Sequence, residues 1–299
     1  MTSHTVTRHD ITFGSGGDTC AAWLFLPDGV QNPPVVILGH GLGATREMRL
    51  DAFAERFAQA GIAALAFTYR HFGDSTGRPR QLLSIKRQLA DWDAAIAHVK
   101  TRPDVDNTRV AVWGSSFGGG HAVIVAARHP ELLAAIAQCP FTDGLASARA
   151  LGPKGTMRVL PAVAADLVAH VRGKAPVLLT LAGAPGDKAL MTAPDALPGY
   201  LALVPEGGTF VNEVAARVAP TITWHRPGKA AKDVQMPILF CICDHDSVTP
   251  PDETIAYALT APKNEIKRYD AGHFDIYLGE PFEAVVADQT EFLTRHLKA

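Results

Sequence analysis

The stretch Gly114-Ser115-Ser116-Phe117-Gly118-Gly119 sets two adjacent hydroxyls among glycines, directly after the apolar run Val110 to Trp113. Centred on Ser116 it reads G-x-S-x-G; centred on Ser115, the bulky Trp113 and Phe117 would occupy the flanking positions. A serine carried on a sharp turn from strand to helix crowds the residues two before and two after it, so those positions must be small. Ser116 alone meets the requirement. Such a turn lifts Oγ clear of the sheet edge and aims the first amides of the helix, Phe117 N–H foremost, at a developing oxyanion. The chemistry indicated is nucleophilic attack on a carbonyl carbon.

A hydroxyl nucleophile needs a base, and the base an orienting acid. Two later loops supply them. Cys243-Asp244-His245-Asp246-Ser247-Val248-Thr249-Pro250 follows an apolar strand, and Ala271-Gly272-His273-Phe274-Asp275 follows the last strand. His273 is read as the general base and Asp246 as its acid, with Asp244 and, more weakly, Asp143 as rival acids. His245 and Asp275 read as surface or turn residues. Gly39-His40-Gly41-Leu42-Gly43 also ends a strand. Its glycines let backbone approach a substrate, Leu42 N–H is the natural second oxyanion donor, and His40 reads as a structural hydrogen-bonder.

The elements that must hold these residues alternate along the chain. Two β-rich stretches, about 5 to 13 and 19 to 26, flank a Gly/Ser/Asp loop with hairpin chemistry. The continuous apolar runs Val35 to Leu38, Ile62 to Phe67, Val110 to Trp113 and Leu133 to Ala137 have the pattern of strands covered on both faces. Helical segments separate them: one carrying Met48, Phe53 and Phe57 and stopping at Gly61, another with Ile85, Leu89, Trp92, Ile96 and Val99 on one face, and a third from about 117 to 128. The rhythm returns late, with strands 237 to 243 and 265 to 269 and helices 251 to 259 and about 281 to 297. Alternation of this kind predicts an α/β, doubly wound, mostly parallel sheet.

Residues 144 to 232 break the alternation. They predict a cap inserted in a core made of 1 to 143 and 233 to 299, because a long irregular segment in a compact fold is usually functional. Within it, Met191, Leu197, Tyr200, Leu201 and Leu203 could line an apolar acyl pocket, Met191 and Tyr200 being the candidate substrate-binding residues.

Charge and composition narrow the partner. The 28 Lys and Arg against 30 Asp and Glu give a net charge of −2, with no global pull toward nucleic acid or anionic membrane. The N-terminal residues lack the pattern of a signal peptide, and no run of about 18 apolar residues suggests a span, so a cytoplasmic protein with a small-molecule partner is expected. The four cysteines do not form a disulfide framework and are expected as reduced thiols. Cys241-x-Cys243-Asp244-His245 offers no second ligand cluster for a closed zinc site, and the glycines at 118 to 120 lack the Lys-Ser/Thr of a phosphate loop. No metal or cofactor is expected.

GHGLG, Tyr69-Arg70-His71-Phe72-Gly73-Asp74-Ser75, GSSFGG, the Asp246 loop and Gly272-His273-Phe274 together resemble the α/β-hydrolase superfamily. The resemblance covers nearly all the chain outside 144 to 232. GSSFGGGH, Cys139-Pro140-Phe141-Thr142-Asp143-Gly144, Ala193-Pro194-Asp195 and Tyr200 are similar to the branch holding fungal polyketide transferases and related esterases. One departure is Thr68-Tyr69-Arg70-His71-Phe72-Gly73 where that branch has Asp-Tyr-Arg-Gly-Phe-Gly. The resemblance implies an α/β-hydrolase fold and a serine hydrolase acting on a carboxylic ester or thioester. An acyltransferase using the same acyl-enzyme and a non-catalytic binding homologue are the rival readings.

Overall fold

The computed structural model describes residues 3–298. A hairpin opens the chain: strand β1 (Val6–Ser15) pairs antiparallel with β2 (Asp18–Pro27) around the two-residue turn Gly16-Gly17. Then come β3 (Pro34–Gly39), helix α1 (Leu50–Gln59), β4 (Ala63–Phe67), α2 (Ile85–Lys100), β5 (Asp106–Ser115), α3 (Phe117–Arg128) and β6 (Ala134–Gln138). Met48 is buried but precedes α1, which begins two residues later. The insert holds α4 (Gly144–Val171), strands β7 (Leu178–Ala182) and β8 (Ala189–Met191), α5 (Ala196–Leu201), β9 (Glu213–Ala215) and α6 (Ala219–Trp224). The main rhythm closes with β10 (Ile238–Cys243), α7 (Pro251–Ala258), β11 (Asn264–Tyr269) and α8 (Gly279–Leu297).

Eight strands form one sheet in the order β1-β2-β4-β3-β5-β6-β10-β11. The pairings from β4 to β11 are all parallel. Strands β3, β4, β6 and β10 are buried along their whole length, which is why each reads as an unbroken apolar run. Edge strand β11 is partly exposed and carries Lys267 and Arg268. Helix α2 lays Trp92 against the sheet, 5.2 Å from the Phe67 ring, and its Nε1–H donates to the Tyr69 hydroxyl at 2.8 Å.

From β3 the chain crosses to β4 on one side; from β5 it crosses to β6 on the other. The loops leaving β3 and β5 therefore diverge and open a crevice at the carboxyl ends of two adjacent strands, where ligands bind in sheets of this kind. The GHGLG loop and the Ser116 turn both lie there.

Residues 144–232 interrupt the sheet with their own three-stranded one, in the order β8-β7-β9. Helix α4 starts at Gly144, where Asp143 caps it by accepting from Leu145 N–H and Ala146 N–H. A kink at Gly152 divides it. No described helix is long and apolar enough to cross a membrane. All four cysteines are free and buried.

Candidate active site

The turn between β5 and α3 places Ser116 at φ 56°, a conformation strained for any residue but glycine. Its neighbours show what holds it there. A Cβ on Gly114 would lie 2.0 Å from the Gly118 carbonyl oxygen, and one on Gly118 would lie 2.4 Å from the His40 carbonyl oxygen. Neither position admits a side chain. Ser116 N–H donates to the Gln138 carbonyl at 2.9 Å, and Phe141 N–H donates to the Ser116 carbonyl at 2.8 Å, which ties the turn to the end of β6.

His273 Nε2 lies 3.0 Å from Ser116 Oγ, and His273 Nδ1 lies 2.7 Å from Asp246 Oδ2. Both the imidazole and the carboxylate are almost wholly buried. Asp246 is fixed by its own turn: Oδ1 accepts from Val248 N–H at 2.9 Å and Thr249 N–H at 2.6 Å, while Thr249 Oγ1 donates to Oδ2 at 2.8 Å. Burial alone would depress the His273 pKa; the adjacent Asp246 carboxylate, with the Cys139 sulfur beside it, outweighs burial and holds the ring well above the ordinary histidine value.

The rival acids point elsewhere. Asp244 accepts from Arg268 Nε at 2.8 Å on the outer side of the sheet, and Asp143 caps α4 while accepting from the Tyr257 hydroxyl at 2.8 Å. His245 meets Asp270 at the exposed surface, and Asp275 accepts from Gly272 N–H within its turn. His40 is structural: its Nε2 accepts from Tyr69 N–H at 3.3 Å, and burial lowers its pKa to about 3.

Leu42 and Phe117 flank Ser116 on one cavity of about 490 Å³. Phe117 is the first residue of α3, so its N–H has no acceptor within the helix. The GHGLG loop comes so near the serine that a Cβ on Gly41 would lie 3.1 Å from Ser116 Cβ. The insert forms the far wall with Val159, Leu160, Val163, Met191, Ile222 and Trp224. Among the described residues, no side chain lining this cavity carries a charge.

Of the insert residues singled out in the sequence, Met191 lines that cavity. Tyr200 lies behind it, on a small adjoining space beside His273, and its hydroxyl donates to the Leu42 carbonyl. Leu203 shares the small space, Leu197 packs partly buried against the core, and Leu201 is 45% exposed.

Sequence reasoning missed the support beneath the serine. Trp113 Nε1–H donates to Gln289 Oε1, Gln289 Nε2–H donates to Gln138 Oε1, and Gln138 Nε2–H donates to Ser115 Oγ, which also bonds the Tyr277 hydroxyl. Ser115 thus belongs to a buried network and not to the cavity. Cys139 was missed as well. Its thiol lies within a cluster with Asp246 and His273 whose donor atoms are all within 4.8 Å of one another. The sequence signals for it were its place in the Cys139-Pro140-Phe141 run and at the end of β6, level with the nucleophile turn.

A mostly parallel sheet with a serine on the strand-to-helix turn at its crevice defines an α/β hydrolase. The chain belongs to the family described as serine aminopeptidase, S33, which matches residues 31–281. It is 49% identical over 286 residues to the quorum-quenching protein AidA of Acinetobacter baumannii, spanning 96% of this chain and 94% of that one. It is 26% identical to the thiohydrolase aneE of Aspergillus aculeatus, over 89% of this chain and 86% of that one. The crystal structure of the α/β hydrolase GrgF from a Penicillium species superposes with a TM-score of 0.84 at 23% identity, covering 98% of this chain and all of that one.

Proposed function

We propose that the protein is a serine hydrolase that cleaves a carboxylic ester, or a thioester, of an apolar small molecule. Ser116 Oγ attacks the carbonyl as His273 takes its proton, Asp246 steadies the imidazolium, and the Leu42 and Phe117 amides receive the oxyanion. His273 then returns the proton to the leaving group, and water, activated by the same imidazole, frees the acyl group from Ser116. The observation that carries this reading is the unbroken relay from Ser116 through His273 to Asp246, at 3.0 and 2.7 Å, on the floor of an uncharged cavity. Residues 144–232 act as the cap that shapes that cavity.

The family description names an aminopeptidase, but a free peptide N-terminus needs an anion to meet its ammonium group, and the described cavity lining offers none. A neutral ester fits it better. The quorum-quenching relative makes signal molecules a reasonable substrate set, and the thiohydrolase widens it to thioesters. Acyl transfer is the second reading, since a relative 25% identical over 99% of the chain is named polyketide transferase grgF.

The test is hydrolysis of p-nitrophenyl esters of increasing acyl length by the wild type and by Ser116→Ala. Serine-dependent turnover is expected, with a length optimum set by the cavity. A Ser116-dependent burst without turnover would assign the transferase, and turnover that survives Ser116→Ala would overturn both.

A further inference from the structure

Helix α4 carries apolar residues on two of its sides. Toward the protein it buries Val159 and Val163, and Asp166, whose carboxylate is held by Arg217 at 2.8 Å. Next to that side Met157, Leu160, Ala164, Leu167 or Val168, and Val171 recur three and four residues apart, forming a second stripe that faces solvent. Met157 is 68% exposed and Val171 86%. An amphipathic helix normally turns its apolar residues inward, and this one leaves a second set of them exposed. Trp224, at the end of α6, adds a further large ring, 72% exposed.

The charges along this stretch have one sign. Between 144 and 174 stand Arg149, Lys154, Arg158, Arg172 and Lys174, all exposed, and the single acid there is the buried, paired Asp166. Lys154, Arg158 and Arg172 fall on one flank of the stripe by helical spacing. Two copies of this helix packed antiparallel would bring Arg158 of one against Arg172 of the other, like charge on like. An anionic surface meets the same flank with opposite charge.

We propose that this face docks on an anionic phospholipid bilayer, the α4 stripe and Trp224 entering the headgroup boundary while the basic flank meets lipid phosphates. The pattern is that of an interfacial amphipathic helix, and Trp224 is of the aromatic type enriched at membrane–water boundaries. The cavity gives the contact a use. Leu160 and Trp224 belong both to the exposed patch and to the wall of the cavity that Ser116 lines, so the patch adjoins that cavity. A ligand dissolved in lipid reaches the cavity along that wall. The overall charge of −2 averages this asymmetry away, which is why composition alone points away from membranes.

The test is cosedimentation of the full chain with vesicles of phosphatidylcholine alone and of equal parts phosphatidylcholine and phosphatidylglycerol. Binding to the anionic vesicles is expected, weakening with added salt. Each of Arg158→Gln and Arg172→Gln should weaken it roughly fivefold. The pair Leu167→Glu with Val171→Glu should abolish it, while turnover of a short soluble ester stays at the wild-type rate because neither residue lines the cavity. Absence of cosedimentation, or equal binding to both vesicle types, overturns the proposal. So does a dimer in light scattering that the Leu167→Glu, Val171→Glu variant splits, since a second copy would then cover the face. Binding is read without catalysis, so its failure leaves the ester reading standing.

Discussion

The floor and the roof of the cavity are built on different principles. On the floor, each polar atom is aimed by a hydrogen bond: Asp246 by two amides and the Thr249 hydroxyl, His273 by Asp246, and the Ser116 turn by backbone bonds to Gln138 and Phe141. On the roof, α4, β8 and α6 present Val159, Leu160, Val163, Met191 and Ile222 and, among the described residues, nothing charged. Directional bonds fix geometry to tenths of an ångström; dispersion contacts add up with area and tolerate exchange. Chemistry should therefore fail all at once when the floor is altered, whereas the roof should change which substrate is preferred. The largest effect expected is on the floor. Ser116→Ala and His273→Ala should each lower kcat by on the order of 10⁶, because relay members act as a unit. Ser115→Ala, measured beside them, should retain turnover and lose thermal stability instead, since it leaves Gln138 and Tyr277 short of a partner. Near-normal kcat in Ser116→Ala would end the division between floor and roof.

Next in size is Asp246→Asn, expected to lower kcat by about 10⁴ through loss of the carboxylate that orients the ring. Its pH profile sharpens the comparison. His273 must be neutral to accept a proton, and Asp246 raises its pKa, so wild-type activity should fall as pH drops through a value above that of ordinary histidine. With the carboxylate gone, burial is opposed only by the Cys139 sulfur and the imidazole pKa falls, so the acid limb of the residual activity should move to lower pH. A limb that stays put would mean that another group sets it. Asp244→Asn, whose partner is Arg268 on the outer side, should leave both rate and profile unchanged.

The same division explains what could be read from the chain. Floor residues have local signatures: a turn so tight that glycine is required at 114 and 118, and loops that directly follow unbroken apolar strands such as Phe240 to Cys243. Strand and helix order around them follows from periodicity, because β3, β4, β6 and β10 are covered on both faces. What escaped depends on contacts between residues distant in sequence. Gln289 reaches Gln138 across 151 positions, and Cys139 joins Asp246 and His273 only because β6 lies beside β10. In the insert the failure has another cause. An apolar residue there faces the cavity, its own small core or solvent, and α4 does all three, so its hydrophobic pattern carries no single direction.

The roof should respond in selectivity. Ala219 lies on the cavity wall at the start of α6. Ala219→Phe should fill part of the space and lower kcat/KM for the longest accepted acyl chain by roughly tenfold or more, with the shortest ester unaffected. The measurement is the acyl-length series with wild type and variant side by side. A uniform loss at every length would mean that the wall also supports the floor, and the comparison would lose its force.

The smallest effect expected falls where roof meets floor. Tyr200, a residue of the insert, donates its hydroxyl to the Leu42 carbonyl, so it steadies the loop whose amide is proposed to receive the oxyanion. Tyr200→Phe leaves that carbonyl without its partner, a loss of about 1 kcal/mol, or roughly fivefold. Because the Leu42 amide acts on charge that develops only in the transition state, the loss should fall on kcat, with KM for a short ester unchanged. Were Tyr200 instead a wall against the substrate, KM would rise and kcat would hold. The split between the two constants thus decides whether this residue of the insert serves binding, as its place in the sequence suggests, or serves the chemistry through the loop it holds.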